Sequence, residues 1–221
     1  MKNHIYSPHA GGVYLYGAGG FAREVMDICR RLSIPINGCI VDSGFGKIGD
    51  DVGYSKIIDV NDYDSLEYGA IAVGDPAVKY DIFKRSHVNV WMRLVDPSSS
   101  FGLPASINVG CIVCAGVRIT CNVEIGKHVH VNLNSTIGHD CMIGNYVTIS
   151  PGVNISGNVT IGEGTFIGSG ATILEKIKIG KWAKVGAGAV VIEDVPDNTT
   201  VVGVPAKVVR TYEDGWHVKQ R

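Results

Sequence analysis

The sequence carries almost no net charge. Its 20 Lys and Arg against 21 Asp and Glu leave −1, so nothing electrostatic recommends nucleic acid or an anionic membrane as a partner. It has no apolar run of membrane-spanning length and no start resembling a signal peptide, and a cytoplasmic location is expected. It also lacks a complete set of metal ligands. Six cysteines are scattered through the chain, and a chain of this kind keeps them reduced. Cys111 and Cys114 form a C-x-x-C, but no second pair follows and the motif falls inside a repeat, so no metal is expected. What is present is an apolar fraction of 45%, enough for a real core, in 221 residues, enough for one large domain or two small ones. Glycine is abundant at 29 residues, in a cluster near the N-terminus and throughout the second half.

The second half is periodic. Stepping by six from Ile107 to Val191 meets isoleucine or valine at all fifteen positions. The next residue is often glycine, as at Gly126, Gly138, Gly144, Gly162, Gly168, Gly180 and Gly186. Four residues after the aliphatic one the side chain stays small or β-branched, as at Val117, Ser135, Val153 and Ala171. A period of six is neither helical nor a two-residue alternation. It predicts short strands of about four residues joined by tight corners where glycine takes positive φ. Three strands close one triangular coil with the aliphatic residue inside, and fifteen hexads make five coils of eighteen residues. The segment Asp194 to Asn198 breaks the last strand; Thr211 to Arg221 is a short helix or a tail.

The first 95 residues read differently. Val13 to Tyr16 is a short apolar strand that runs into Gly17-Ala18-Gly19-Gly20-Phe21-Ala22 and a helix from Arg23 to Leu32. Strands at Gly38 to Val41, Ala70 to Val73 and near Asn89 to Leu94, with a helix from Pro76 to about Ser86, indicate a parallel α/β sheet. Gly17, Gly19 and Ala22 satisfy the dinucleotide fingerprint, with Asp42 about twenty residues on. The physical content of that pattern is narrower: amides at a helix N-terminus bind phosphate. The domain holds about one mononucleotide-binding half, which favours a UDP-, GDP- or dTDP-linked ligand over NAD. A purely structural glycine turn is the third reading. Asp96 to Ser100 has the composition of a turn, and the chain divides into an α/β domain (1–95), a linker (96–106), a β-helix (107–195) and a cap with tail (196–221).

A Gly-rich α/β domain followed by hexads resembles the sialic acid O-acetyltransferase and nucleotide-aminosugar N-acetyltransferase family. Four blocks carry the resemblance: Tyr16 to Gly20, Ala72-Val73-Gly74-Asp75, Asn132 to Asp140, and Gly203-Val204-Pro205-Ala206-Lys207. It implies a left-handed parallel β-helix, an exception to the right-handed crossover rule. It also implies acetyl-CoA as co-substrate, a nucleotide-linked amino sugar as acceptor, a role in bacterial lipopolysaccharide or capsule synthesis, and a homotrimer with sites between adjacent prisms. Two departures stand out: Asp96 replaces a frequent histidine before the linker proline, and Asp140 replaces a frequent glutamate after the histidine.

Acetyl transfer to an amine needs a base, a group to orient it, an oxyanion donor and a groove for CoA. His139 is the expected base, at the third position of its hexad, where a side chain projects from the prism wall; an unplaced histidine is otherwise a solvated surface residue. Asp140 would hold its tautomer. Gly157, one coil of eighteen residues later, is the expected oxyanion donor through its N–H. The resemblance places Ala187 and Lys207 at CoA and Asn132 at the acceptor sugar, where a corner asparagine ladder is the alternative. Gly17, Gly19, Gly20, Asp42 and Gly74 are the expected nucleotide-sugar contacts. His128 and His130 form an H-x-H that does not by itself make a zinc site; His4, His9, His87 and His217 are expected at the surface or in the tails. The rival activities are O-acetylation of a sialic acid type acceptor, an NAD(P)-dependent oxidoreduction and a non-catalytic nucleotide-binding scaffold.

Overall fold

The computed structural model describes residues 11–42, 45–59, 61, 64–213 and 216. His4, His9, His217 and most of the expected tail lie outside the described residues. The N-terminal unit is a parallel sheet of four strands, β1 (Val13–Tyr16), β2 (Ile36–Ile40), β5 (Leu66–Ile71) and β6 (Val88–Trp91), in the order β2-β1-β5-β6. Between β2 and β5 a two-stranded hairpin, β3 (Asp51–Val52) and β4 (Ser55–Lys56), adds an element the sequence pattern does not announce. Helix α1 (Gly20–Arg31) opens inside the glycine cluster, three residues ahead of the sequence expectation, because Gly19 is its N-cap. Helix α2 (Pro76–Arg85) follows its cues more closely. Pro76 sits in the first turn and the Asp75 carboxylate accepts from the Ala77 and Val78 amides at 2.8 and 3.2 Å.

The remainder is a left-handed parallel β-helix. Its three walls are sheets of eight, six and five strands. The coils pair at a spacing of eighteen residues, as Ile119 with Ile137 and Ile137 with Ile155, until the last turn, where Ile179 meets Val195 and Val185 meets Val201. The aliphatic column fills the prism: Val113, Val131, Ile137, Ile149, Ile167 and Ile173 are fully buried. Each isoleucine removed from water contributes roughly 2–3 kcal/mol.

Three sequence expectations change in detail. The strands are two residues long rather than four, since the corners take the other four residues of each hexad. Positive φ falls two residues beyond the glycines expected to hold it. It occurs at Gly110, Gly116, Asn122, His128, Asn134, Asp140 and onward in the same register. The glycines after the aliphatic residue are small for another reason: a Cβ at Gly138 would lie 2.6 Å from the Ser156 carbonyl carbon of the next coil. Finally, residues 96–106 are part of the prism and not a spacer. Leu94–Val95, Ser100–Phe101 and Ala105–Ile107 pair with the coil above. The hexad register continues back through Phe101 and Val95, disguised by an aromatic residue and by Pro97 and Pro104.

The two units share a core. Leu94, Ile112 and Cys114 on one solenoid wall pack with Val13, Leu15, Ala22, Val25 and Met26 of the α/β unit. Above that patch Lys79 of α2 is fully buried, its Nζ donating to the carbonyls of His128 at 3.1 Å and Val147 at 3.0 Å. Burial holds this amine well below its ordinary value. His128 is also fully buried, stacked on Tyr146 and flanked by Phe83 and Trp91. Burial, reinforced by Lys79, pushes its imidazole down to about 4. Since the unfolded imidazole titrates near 6.5, the unfolded chain binds more protons between those values, so stability is full above about pH 6.5 and falls as pH drops toward 4. We expect a loss on the order of 3 kcal/mol across that window. Urea melts at pH 7.5 and 4.5 should differ accordingly, and His128→Asn, which suits the positive φ at this corner, should flatten the difference; an unchanged slope in the variant would assign it to other groups.

Candidate active site

His139 and Asp140 occupy one solenoid corner, just after the strand Thr136–Ile137. Their side chains are 57% and 44% exposed, so both project from the wall, with no domain over them. Asp140 has φ 57°, a left-handed conformation that aspartate tolerates better than most residues. That turn sets consecutive side chains beside each other: His139 Nδ1 lies 2.7 Å from Asp140 Oδ2. With the Nδ1–H donating to the carboxylate, Nε2 is left as the basic lone pair facing out. The bond to His139 holds the Asp140 carboxyl below its usual range, and a second bond, from Asn122, adds to the effect.

Gly157 lies one coil above, against the imidazole. A Cβ there would be 2.5 Å from His139 Nε2 and 2.6 Å from Cε1. Its N–H takes part in no coil-to-coil hydrogen bond among the described residues, while its carbonyl accepts from Lys176 at 3.0 Å. A glycine is therefore needed at this point for the ring to lie against the wall, and its amide is left without a coil-to-coil partner.

The other expected residues are spread out. Ala187 is an exposed corner residue whose amide lies where a Cβ on Gly168 would clash. Lys207 opens the closing antiparallel strand Lys207–Thr211 and pairs with Glu193 at 3.6 Å. Asn132 is buried, with its amide donating to the Ile149 carbonyl at 2.9 Å and its Oδ1 facing the Cys114 thiol. That is an internal bond between coils, though not an asparagine ladder, since Cys114 and Ser150 stand eighteen residues to either side. Cys111 and Cys114 are divided between two cores, the first inside the prism and the second under the α/β unit. Burial pushes their thiols up to about 11 and about 12, so both stay protonated. Among the described residues no three His, Cys, Asp or Glu side chains gather to hold a metal ion.

A second concave site lies wholly in the α/β unit. A cleft of about 730 Å³ runs over the carboxyl ends of β1, β2 and β5, and Gly17, Gly19, Gly20, Asp42 and Gly74 all line it. Sequence reasoning missed Arg85 and left His87 as a mere surface residue; both also line the cleft. Arg85 grips Asp42 at 2.6 and 2.8 Å, a pairing 43 residues apart that nothing local signals. Unlike α2, α1 has no side-chain cap, so its N-terminal amides face the cleft with a dipole that favours anions.

Residues 12–86 match the PglD N-terminal domain family, and residues 158–193 match the bacterial transferase hexapeptide family (six repeats). Perosamine N-acetyltransferase from Caulobacter crescentus, solved as a histidine-to-asparagine mutant with CoA and GDP-perosamine, is 27% identical. It superposes with a TM-score of 0.83 over 92% of this chain and 99% of that one. Over nearly its whole length the chain is thus similar to a solved nucleotide-aminosugar N-acetyltransferase. The acetyltransferase domain of PglB from Neisseria gonorrhoeae, solved with acetyl coenzyme A, is another similar structure at 29% identity and a TM-score of 0.82, over 90% of this chain and 98% of that one. WeeI from Acinetobacter baumannii is 29% identical with a TM-score of 0.81, over 90% of this chain and all of that one. No curated protein matches the sequence.

Two glycines of the N-terminal glycine cluster differ in what they need. Gly17 has φ 124°, and a Cβ there would lie 2.7 Å from the Ala72 carbonyl oxygen, so the fold itself demands glycine. Gly19 has φ −81° and open space where its Cβ would be. Gly17→Ala should therefore cost at least about 2 kcal/mol and Gly19→Ala less than about 1, in equilibrium urea unfolding. Equal losses would mean that the loop conformation is set differently.

Proposed function

We propose that this protein is an acetyl-CoA-dependent N-acetyltransferase acting on the amino group of a nucleotide-linked amino-deoxy sugar. The observation that carries the reading is the corner where His139, Asp140 and Gly157 meet: an imidazole oriented through Nδ1, with Nε2 lying against Gly157, whose amide has no coil-to-coil partner among the described residues. The solved relatives that bind CoA and GDP-perosamine support it.

In the reaction, the sugar amine attacks the thioester carbonyl of acetyl-CoA. His139 Nε2 takes the proton released from nitrogen as the N–C bond forms. Asp140 stabilises the resulting imidazolium and keeps it from turning. The Gly157 N–H donates to the oxyanion of the tetrahedral intermediate. Collapse breaks the C–S bond, and the proton passes from Nε2 to the departing CoA sulfur. Ala187 and Lys207 lie further up the solenoid toward its closing strand and would line the path of the pantetheine arm and the nucleotide phosphates, with Lys207 exchanging Glu193 for phosphate. The acceptor's pyrophosphate would rest on the α1 N-terminus, with Gly20 and Gly74 lining its path and Asp42 toward the nucleoside end.

No residue of the His139 corner lines the α/β cleft. The arrangement is accounted for by a homotrimer in which the sugar held by one subunit reaches a His139 corner at the boundary between prisms. In this reading the step would take place in the cytoplasm, on the way to a lipopolysaccharide or capsule sugar.

The test is a two-substrate kinetic titration with UDP-, GDP- and dTDP-linked amino sugars. His139→Ala should lower kcat roughly 10²–10⁴-fold, the usual worth of a general base. Gly157→Ala should also lower kcat, by forcing the ring away from Asp140. Gly19→Val should fold, raise the acceptor KM and leave CoA binding intact. Wild-type turnover by folded His139→Ala would overturn the assignment, and an acetyl group released by mild base would place it on oxygen. Light scattering should give a trimer; a fully active monomer would overturn the shared-site arrangement.

A further inference from the structure

The His139–Asp140 pair has a third member that its chemistry does not require and its geometry supplies. Asn122 sits eighteen residues before Asp140, in the coil beneath it, and its Nδ2 donates to Asp140 Oδ1 at 3.0 Å. Asp140 Oδ2 is already taken by His139 Nδ1, so the two oxygens of one carboxylate are divided between Asn122 and the imidazole. The backbone anchors both residues. Asn122 N donates to the Pro104 carbonyl at 2.6 Å, and Asp140 N donates to the Cys121 carbonyl at 3.1 Å. Both have left-handed backbones, φ 56° and 57°, so the same corner is repeated in consecutive coils and the two side chains emerge in register.

We propose that Asn122 is a positioning residue for acetyl transfer, fixing the plane of the Asp140 carboxylate so that it meets His139 Nδ1. This rests on the reading of His139 as the base. An exposed aspartate can rotate about χ2, and each rotation that turns Oδ2 away frees the imidazole to reorient. A donor on Oδ1, carried by the rigid coil below, removes that freedom. Because Asp140 has a shorter arm than glutamate, its reach to Nδ1 leaves little slack, and the angle of the carboxylate matters more. The lowered carboxyl of Asp140 agrees with two donors on the ionised form.

Asn122→Gly deletes the amide without straining the backbone, because glycine accepts φ 56° at no cost. We expect kcat to fall about fivefold, near the worth of one hydrogen bond, with both KM values unchanged. Asn122→Asp, which also tolerates this backbone, removes the donor and adds a like charge, so its loss should be larger. In an Asp140→Asn background, adding Asn122→Gly should change kcat by less than about twofold, since a residue acting through Asp140 has nothing left to act on. His139→Ala is measured beside them. If that variant keeps its activity, the catalytic reading fails and Asn122 falls with it. If it is inactive while Asn122→Gly retains wild-type kcat, or while Asn122→Gly costs as much in the Asp140→Asn background as alone, Asn122 is not a positioning residue.

Discussion

Everything in the acetyltransferase half depends on one constraint: successive coils are held about 4.8 Å apart by parallel backbone ladders, in unbroken register. Ile119, Ile137, Ile155 and Ile173 stand over one another because each strand hands its hydrogen bonds to the one eighteen residues on. The same register puts Asn122 under Asp140 and Gly157 over His139. A side chain in one coil meets a main-chain group in the next at contact distance, so a single methyl group can decide a geometry. The site is rigid because the wall is rigid, and the wall is rigid because no coil can shift without breaking two ladders.

That constraint also explains what could be read without coordinates. The aliphatic column is a property of spacing alone, so the prism and its coil length follow directly from Ile107 to Val191. The column from His139 to Gly157 follows the same way, and Asn122 to Asp140 carries the same eighteen-residue signal, although only the structure shows that the two side chains bond. The corner conformation was harder to read. Glycine is needed at Gly138 and Gly162 because the backbone of the neighbouring coil is close, and at Gly110 and Gly164, where φ is positive, because the rings of His128 and Trp182 lie where a Cβ would be. Composition cannot tell those two causes apart. The first coil was hidden for a related reason: Phe101 and two prolines read as punctuation, although the backbone register runs straight through them.

Contacts between the two units left no trace in any local pattern. Lys79 lies on a helix whose sequence is unremarkable for a surface lysine, yet it is buried and caps two corner carbonyls. The Val147 carbonyl already accepts from the His130 amide at 3.0 Å, so it is the His128 carbonyl whose desolvation under a domain Lys79 offsets, with an amine that can give up its charge. Arg85 and Asp42 likewise meet only because β2 and α2 end on the same side of the sheet. In the cleft they line, the acidic residue marked by the dinucleotide pattern is held by a cation from within the chain, so any ligand group that reached Asp42 would have to share it.

The three solenoid histidines show how far position outweighs residue type. His139 stands two residues after its aliphatic column, at a corner no domain covers, and keeps an exposed ring with one oriented nitrogen. His128 stands three residues after its column, at a corner roofed by α2, where aromatic rings surround it and burial keeps it neutral. His130 belongs to a strand, on the outward face, but that face is the floor of the α/β unit, and burial again holds its pKa well down. An H-x-H spacing would suggest that the last two act together. In a hexad one of them turns at a corner and the other lies flat in a wall, so the spacing that makes a ligand pair elsewhere here puts each ring against a different part of the overlying domain: His128 against Phe83 and Trp91, His130 against Phe21. The histidine left exposed is the one whose corner the second domain does not reach.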